Sequence, residues 1–232
     1  MTKQLTRIVG LAFATSLLIW SPRLRAQESA PQFPRYGAKH VLENELVTAW
    51  DVIWEQGKST PMAVRRFDQV TVIVTEGAVK MIRPDKTWTI EQSRVGSVYF
   101  ESKGTIASEE GVSSTARRAI TIELKSFRPP RLDPKFAKDL IEKGMPGFFR
   151  EAVRLFENDQ VIVWDKTFSS GAGAMHAHYN QFVGVFIEAG VLNNRPRVVG
   201  EMHVNGPDAR GQGLVHQEEV QKPLRGIYVE YK

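Results

Sequence analysis

The chain contains no cysteine in its 232 residues. Disulfides and thiolate metal sites are excluded, and the redox state of the compartment is irrelevant to its covalent structure. Histidine is scarce, with five in the chain, so any clustering of them carries weight. The longest apolar run, IVGLAFATSLLIW at 8–20, has thirteen residues. A membrane-spanning helix needs about 20. A basic surface is missing as well. Of the formal charge of +5, four charges come from Lys3, Arg7, Arg23 and Arg25 in the acid-free residues 1–26, leaving +1 for the remainder. A nearly neutral chain without a basic block gives nucleic acid no electrostatic footprint.

What is present begins with those first residues. A positive start, an apolar core and the small Ala26 after "LR" form the pattern of an export signal. The expectation is a signal peptide at 1–26, a periplasmic or secreted mature protein, and no stable membrane insertion once the signal is removed. The whole chain is 42% hydrophobic and 25% charged, a composition that supports a globular core.

The chain also repeats itself. ENELVTAWDVIWEQG at 43–57 matches ENDQVIVWDKTFSSG at 157–171, and MAVRRFDQVTVIVTEG at 62–77 matches MHAHYNQFVGVFIEAG at 175–190. VGSVYF at 95–100 faces VGEMHV at 199–204, and each half finishes on a strand-like segment, RRAITIELK and RGIYVEYK. Landmarks in the same order at a nearly constant offset indicate an internal duplication. The units run over 33–126 and 148–232. Each reads as short strands rich in β-branched and aromatic residues, punctuated by Gly, Pro, Asn and Asp. The expected class is all-β, of sandwich or barrel type. The linker at 127–147 holds a stiff Pro-rich stretch and one helix, with Asp133 as N-cap, Pro134 in the first turn and Gly144 at the stop.

The chemistry-bearing stretch is GAGAMHAHYNQF at 171–182. Alternate residues of a strand share a face, so His176 and His178 can point the same way. The wider frame is Gly171, His176, His178, Val183 and Gly190, followed by Gly213 and His216. The first unit keeps the spacing with Gly57, Ala63, Arg65, Val70 and Gly77, then Gly104 and Ala107. This resembles the cupin superfamily, over nearly the whole chain after residue 32. The resemblance implies two tandem double-stranded β-helix barrels, jelly-roll-like, with the metal motif lost from the first. It implies His176, His178 and His216 as ligands of one divalent transition metal: Fe, Zn, Mn, Cu or Ni. It supplies no glutamate ligand, because Val183 stands at that position. The expected site is therefore of the three-histidine kind.

Other residues are weighed around that triad. Gln181 faces the same side as His176 and His178 if the strand stays regular, as a weak ligand or hydrogen-bond donor. His203 is either an acid–base group or an ordinary hydrogen-bonded interior residue. These two are the candidate catalytic residues, with Tyr179 and Glu201 behind them. Glu218 and Glu219 could orient an imidazole, but Glu109 and Glu110 stand at the same places in the half without histidines, which favours a structural role. Trp50, Asp51, Trp164 and Asp165 recur in both halves and read as fold determinants. A buried Arg65 would need a partner such as Asp68 or Glu101, or else would bind an anion. The first unit is expected to be structural, packing on the second and covering a sheet edge. The resulting expectation is an exported metal-dependent enzyme acting on a small molecule, of dioxygenase or lyase/isomerase type. Its competitor is a non-catalytic binding or sensing module with a structural metal. A homodimer is also expected.

Overall fold

A computed structural model describes residues 29–126, 132–207 and 215–232. The proposed signal at 1–26, residues 127–131 of the linker and Gly213 lie outside the described residues. The described chain is built almost wholly of strands, with one α-helix, Pro134–Glu142. No helix among the described residues is long and apolar enough to cross a membrane.

The duplication reappears as two matching strand sets. In the first half, the strand Val47–Trp54 pairs antiparallel with Arg117–Leu124, which pairs with Asp68–Thr75. In the second, Val161–Phe168 pairs with Leu224–Tyr231, which pairs with Phe182–Glu188. Each trio is the centre of a five-stranded sheet. The two central sheets lie back to back. Val47, Ala49, Val70, Val72, Ile120 and Ile122 of one meet Val161, Val163, Val183, Val185, Ile227 and Val229 of the other. This largest apolar layer therefore lies between the halves. Strand alternation sends the other face of each sheet into its own half. There Val52, Trp54, Ile73 and Ala119 meet Val79 of a second sheet. In the other half Phe168, Phe182, Phe186 and Tyr228 meet Leu192 and Val220. Central strands buried on both faces explain why segments such as VTVIV read as continuous apolar runs.

Among the described residues the first half forms two five-stranded sheets, and the second forms sheets of five and four strands beside a two-stranded ribbon, with no pairing that closes either set into a barrel. One expectation needs correction. The first half covers a face of the second, not an edge, because the contact is made by outward-pointing valines and isoleucines.

The repeated polar residues hold matching places. Arg118 Nε and Nη2 clamp Asp51 at 2.8 Å each. Arg225 clamps Asp165 in the same way, at 2.8 and 2.6 Å. Trp50 Nε1 donates to Glu123 and Trp164 Nε1 to Glu230, at 2.8 and 2.7 Å. Bidentate Arg–carboxylate pairs fix both distance and orientation, which suits a role in strand register. The helix begins where the sequence places it. Asp133 caps it by accepting from the N–H groups of Lys135 and Phe136, and Gly144 follows its end with a φ of +71°.

Arg65 is 2% exposed, inside the first half. It donates to Glu101, as expected, and to Glu109 at 2.9 Å. Asp68 is not its partner: that carboxylate accepts from Lys103 N–H and from Gln160. Glu109 is the hub, also accepting from Arg35 at 2.6 Å and Trp54 Nε1 at 2.7 Å. Its pKa falls below the ordinary value: burial would raise it, but Arg35 and Arg65 outweigh that. Glu109→Gln would leave two buried guanidinium groups short of their counter-charge. A loss of about 3–5 kcal/mol is expected, read as a lower urea midpoint.

Candidate metal centre

The site is set by a two-stranded ribbon. His176–Ala177 pairs antiparallel with Val215–His216, with His176 directly opposite His216. Directly opposed residues have their Cβ atoms about 5 Å apart. Residues two positions on return to the same face, which adds His178 on one strand and Glu218 on the other. One ligand atom from each of His176, His178, His216 and Glu218 lies within 4.8 Å of all the others. His176 Nε2 is 3.2 Å from His178 Nε2 and 3.2 Å from Glu218 Oε2; His216 Nε2 is 2.9 Å from Glu218 Oε1. His176 and His178 are buried, at 6% and 2% exposed.

Three histidines were legible in the sequence; the fourth donor was not. Glu218, weighed as an imidazole-orienting residue or a structural one, faces the histidines and contacts His216 at 2.9 Å and His176 at 3.2 Å. Val183, at the position where the resemblance would put a glutamate, points into the layer between the halves. The acid comes instead from two residues beyond His216.

The linker completes the site. Ala177 N–H donates to Pro146 O and Phe148 N–H to Ala177 O, so Gly147 forms a parallel bridge to Ala177 beside the ribbon. Leu132 and Leu140 pack against Ala177, with Phe136, Tyr179 and Val215 around them. Phe148 stacks on His178 at 4.9 Å and on Phe182 at 5.0 Å. The segment expected to be a connector thus walls the histidines.

The donor set suits a divalent cation. His176 Nδ1 lies 3.0 Å from Ala174 O, and donation to that carbonyl leaves Nε2 free to ligate. Two imidazole Nε2 atoms facing each other at 3.2 Å need either a shared proton or a cation. His178 is pulled down to about 3, chiefly by burial and then by His176 and His216, so it is the neutral, ligating form at neutral pH. Burial alone would raise Glu218, but its hydrogen bonds with His176 and His216 carry it below the ordinary carboxylate value.

The remaining candidates do not join the four. The strand expected to continue past His178 breaks before resuming at Phe182–Glu188. Gln181 therefore does not share the histidine face, and its amide donates to Pro207 O at 3.0 Å. His203 sits opposite Gly184, on the inner face, against Phe182 at 5.7 Å and Phe186 at 6.5 Å. It lies outside the donor group, and burial lowers its pKa. Tyr179 Oη donates to Met145 O, and Glu201 accepts from Arg197. His40 is a surface residue near Glu43. A cleft of about 330 Å³ opens beside the centre, lined by His176, Glu218, Phe148, Lys166 and Phe168 among others. A second, of about 370 Å³, lies on the His178 side of Phe148.

Known structures share this architecture. AerE from Microcystis aeruginosa is similar over 84% of this chain and 97% of its own, with a TM-score of 0.54 and 9% identity. A salicylate 1,2-dioxygenase from Pseudaminobacter salicylatoxidans is similar over 83% of this chain and 75% of its own, with a TM-score of 0.53 and 11% identity. A cupin 2 conserved barrel domain protein from Leptotrichia buccalis aligns over 84% of this chain and 88% of its own, with a TM-score of 0.49 and 12% identity. The fold is shared with AerE and with the salicylate 1,2-dioxygenase. At these identities the likeness is one of fold. No protein-family model and no curated protein matches the sequence. The first half keeps the ribbon but not the histidines. Ala63 pairs with Ala107, where His176 pairs with His216. Arg65 and Glu109 take the places of His178 and Glu218.

The low value of His178 has a consequence for the metal-free protein. An unfolded histidine takes up its proton near about pH 6.5. Between that pH and about 3, the unfolded chain binds more protons than the folded one, so stability rises with pH through this window. Urea midpoints of metal-free protein should fall steadily as the buffer is taken from neutrality towards about pH 4, and His178→Phe should flatten the slope.

Proposed function

We propose that the protein is an exported, metal-dependent enzyme of two tandem cupin units, working on a small molecule in the second. The observation that carries this reading is the contrast between equivalent ribbons. One aims four ligating side chains at a common point, while the other fills the same space with an Arg–Glu ion pair. The metal is one divalent ion of the Fe, Zn, Mn, Cu or Ni group, all of which accept imidazole with carboxylate. When bound, it supplies a Lewis acid or a dioxygen-binding centre for dioxygenase or lyase/isomerase chemistry.

The chain's own residues support that chemistry. Ala174 O and the stacked Phe148 fix the rings of His176 and His178. Phe148, Phe168 and Phe182 exclude water from one side of the donors. Glu218 balances part of the metal charge. The cleft of about 330 Å³ beside His176 and Glu218 is of a size for a small substrate. One observation favours the second reading, a binding or sensing module. Neither Gln181 nor His203 is placed among the donors as an acid–base group, since Gln181 is tied to Pro207. Export rests on the pattern at 1–26.

Elemental analysis of untagged chain starting at Gln27 tests the centre. Close to one transition metal per chain is expected, with its loss in His176→Ala/His178→Ala. Glu218→Ala should weaken metal affinity by at least about tenfold while leaving the fold intact. No metal after loading with Fe(II), Zn(II), Mn(II) or Cu(II) would remove the enzyme reading. A metal-loaded protein that binds ligands and returns every one unchanged would favour the module. Mass spectrometry of protein recovered from its native compartment should find Gln27 at the N-terminus.

A further inference from the structure

Lys166 stands out once the two halves are compared position by position. Its equivalent in the first half is Val52, which is fully buried in the apolar interior beside Trp54 and Ile73. The half with the ligands therefore carries a cation where the half without them carries a hydrocarbon. The strand Val161–Phe168 alternates, so Lys166 points with Trp164 and Phe168 into its own half.

Its surroundings are unusual for a half-buried cation. Arg65 and Arg35 each pair with a carboxylate at hydrogen-bond distance. Lys166 Nζ instead donates to the carbonyl of Phe148 at 2.6 Å, and lies 4.5 Å from the ring centre of Phe148 and 5.3 Å from that of Phe168. An ammonium has three protons to donate, and a single carbonyl with two aromatic faces leaves it without a carboxylate at salt-bridge distance, the charges of Glu218 and Glu151 acting on it only from farther off. Burial lowers its pKa, in keeping with that imbalance. Lys166 also lines the cleft of about 330 Å³ that holds His176 and Glu218.

We propose that Lys166 is the carboxylate-binding residue of this cleft, and that the molecule it takes is a small organic acid whose other end lies at the four-donor centre. The inference rests on the reading of that centre for the direction in which the acid lies. A carboxylate is favoured over phosphate because one ammonium matches one negative charge. A second charge would lie among Phe148, Phe168 and Val220 and near Glu218, where it would be poorly solvated or repelled. The aromatic walls suit an apolar body on the acid. The volume, at the lower end for ligand sites, suits a small one.

The test is calorimetric titration of the mature chain with benzoate, with its uncharged isostere benzamide, and with inorganic phosphate. Each titration is run on metal-free and Mn(II)-loaded protein, with metal content measured on the same samples. Benzoate should bind at least about tenfold more tightly than benzamide. Lys166→Val, which installs the side chain of the other half, should abolish that preference with metal content unchanged. Lys166→Met, which keeps the aliphatic stem, should do the same and guards against a fold defect in the valine variant. Equal binding of benzoate and benzamide, no benzoate binding, a preference for phosphate, or an unchanged preference in both variants would each overturn the proposal. The two readings separate cleanly. Lys166-dependent benzoate binding in a protein that never holds metal keeps this inference and removes the metal enzyme. Full metal content without any Lys166 dependence does the reverse.

Discussion

Polar groups inside an apolar sandwich must be satisfied there, and both halves of this chain face that constraint at the same four ribbon positions. An unpaired buried charge is costly enough to threaten a domain of marginal stability. In the first half the solution is internal. The Arg65 guanidinium reaches into the space and is met by Glu109 and Glu101. In the second half three imidazoles and a carboxylate face one another, with no arginine among them. The same carboxylate position, Glu109 or Glu218, serves both solutions. The two ribbons share a geometry and differ in whether a guanidinium fills the space between their side chains.

The duplication explains why much of the architecture could be read in advance. Trp50 with Asp51 and Trp164 with Asp165 recur because each pair meets a matched Glu and Arg across the sheet. The histidines were legible because period-two spacing fixes a shared face before any fold is known. The same symmetry misled at Glu218. Its recurrence as Glu109 suggested scaffolding, whereas a buried carboxylate can serve a guanidinium in one half and a metal-type donor set in the other. Gln181 failed for another reason. Its placement assumed an unbroken strand, and the chain leaves strand geometry between His178 and Phe182. Sheet closure was not legible at all, because edge pairing depends on ladder contacts between distant segments. Lys166 was overlooked because attention to what repeats treats a mismatch such as Val52 against Lys166 as noise.

The central layer between the halves gives the first unit its purpose. It contributes no ligand, yet its sheet covers one whole apolar face of the sheet that carries Val161–Phe168 and Phe182–Glu188. Without that cover, Val163, Val183, Val185, Ile227 and Val229 would face water, a contiguous patch of the kind that drives association. A half without histidines at its ribbon thus still contributes through the energetics of its back surface.

The segment from Leu132 to Phe149 has a consequence for the descent of the chain. It leaves the first unit as a connector but ends as a parallel bridge beside the histidine ribbon, with Pro146, Gly147 and Phe148 bonded to Ala177. The first half has the same arrangement, with Ala30–Pro31 parallel to Ala63–Val64 and Gln32 N–H donating to Val64 O, so this framing segment belongs to the repeat although the sequence landmarks begin after it. A gene fission at residue 148 would separate the ligands from part of their frame. The repeat begins earlier than its sequence landmarks, and a viable split must lie upstream of Leu132.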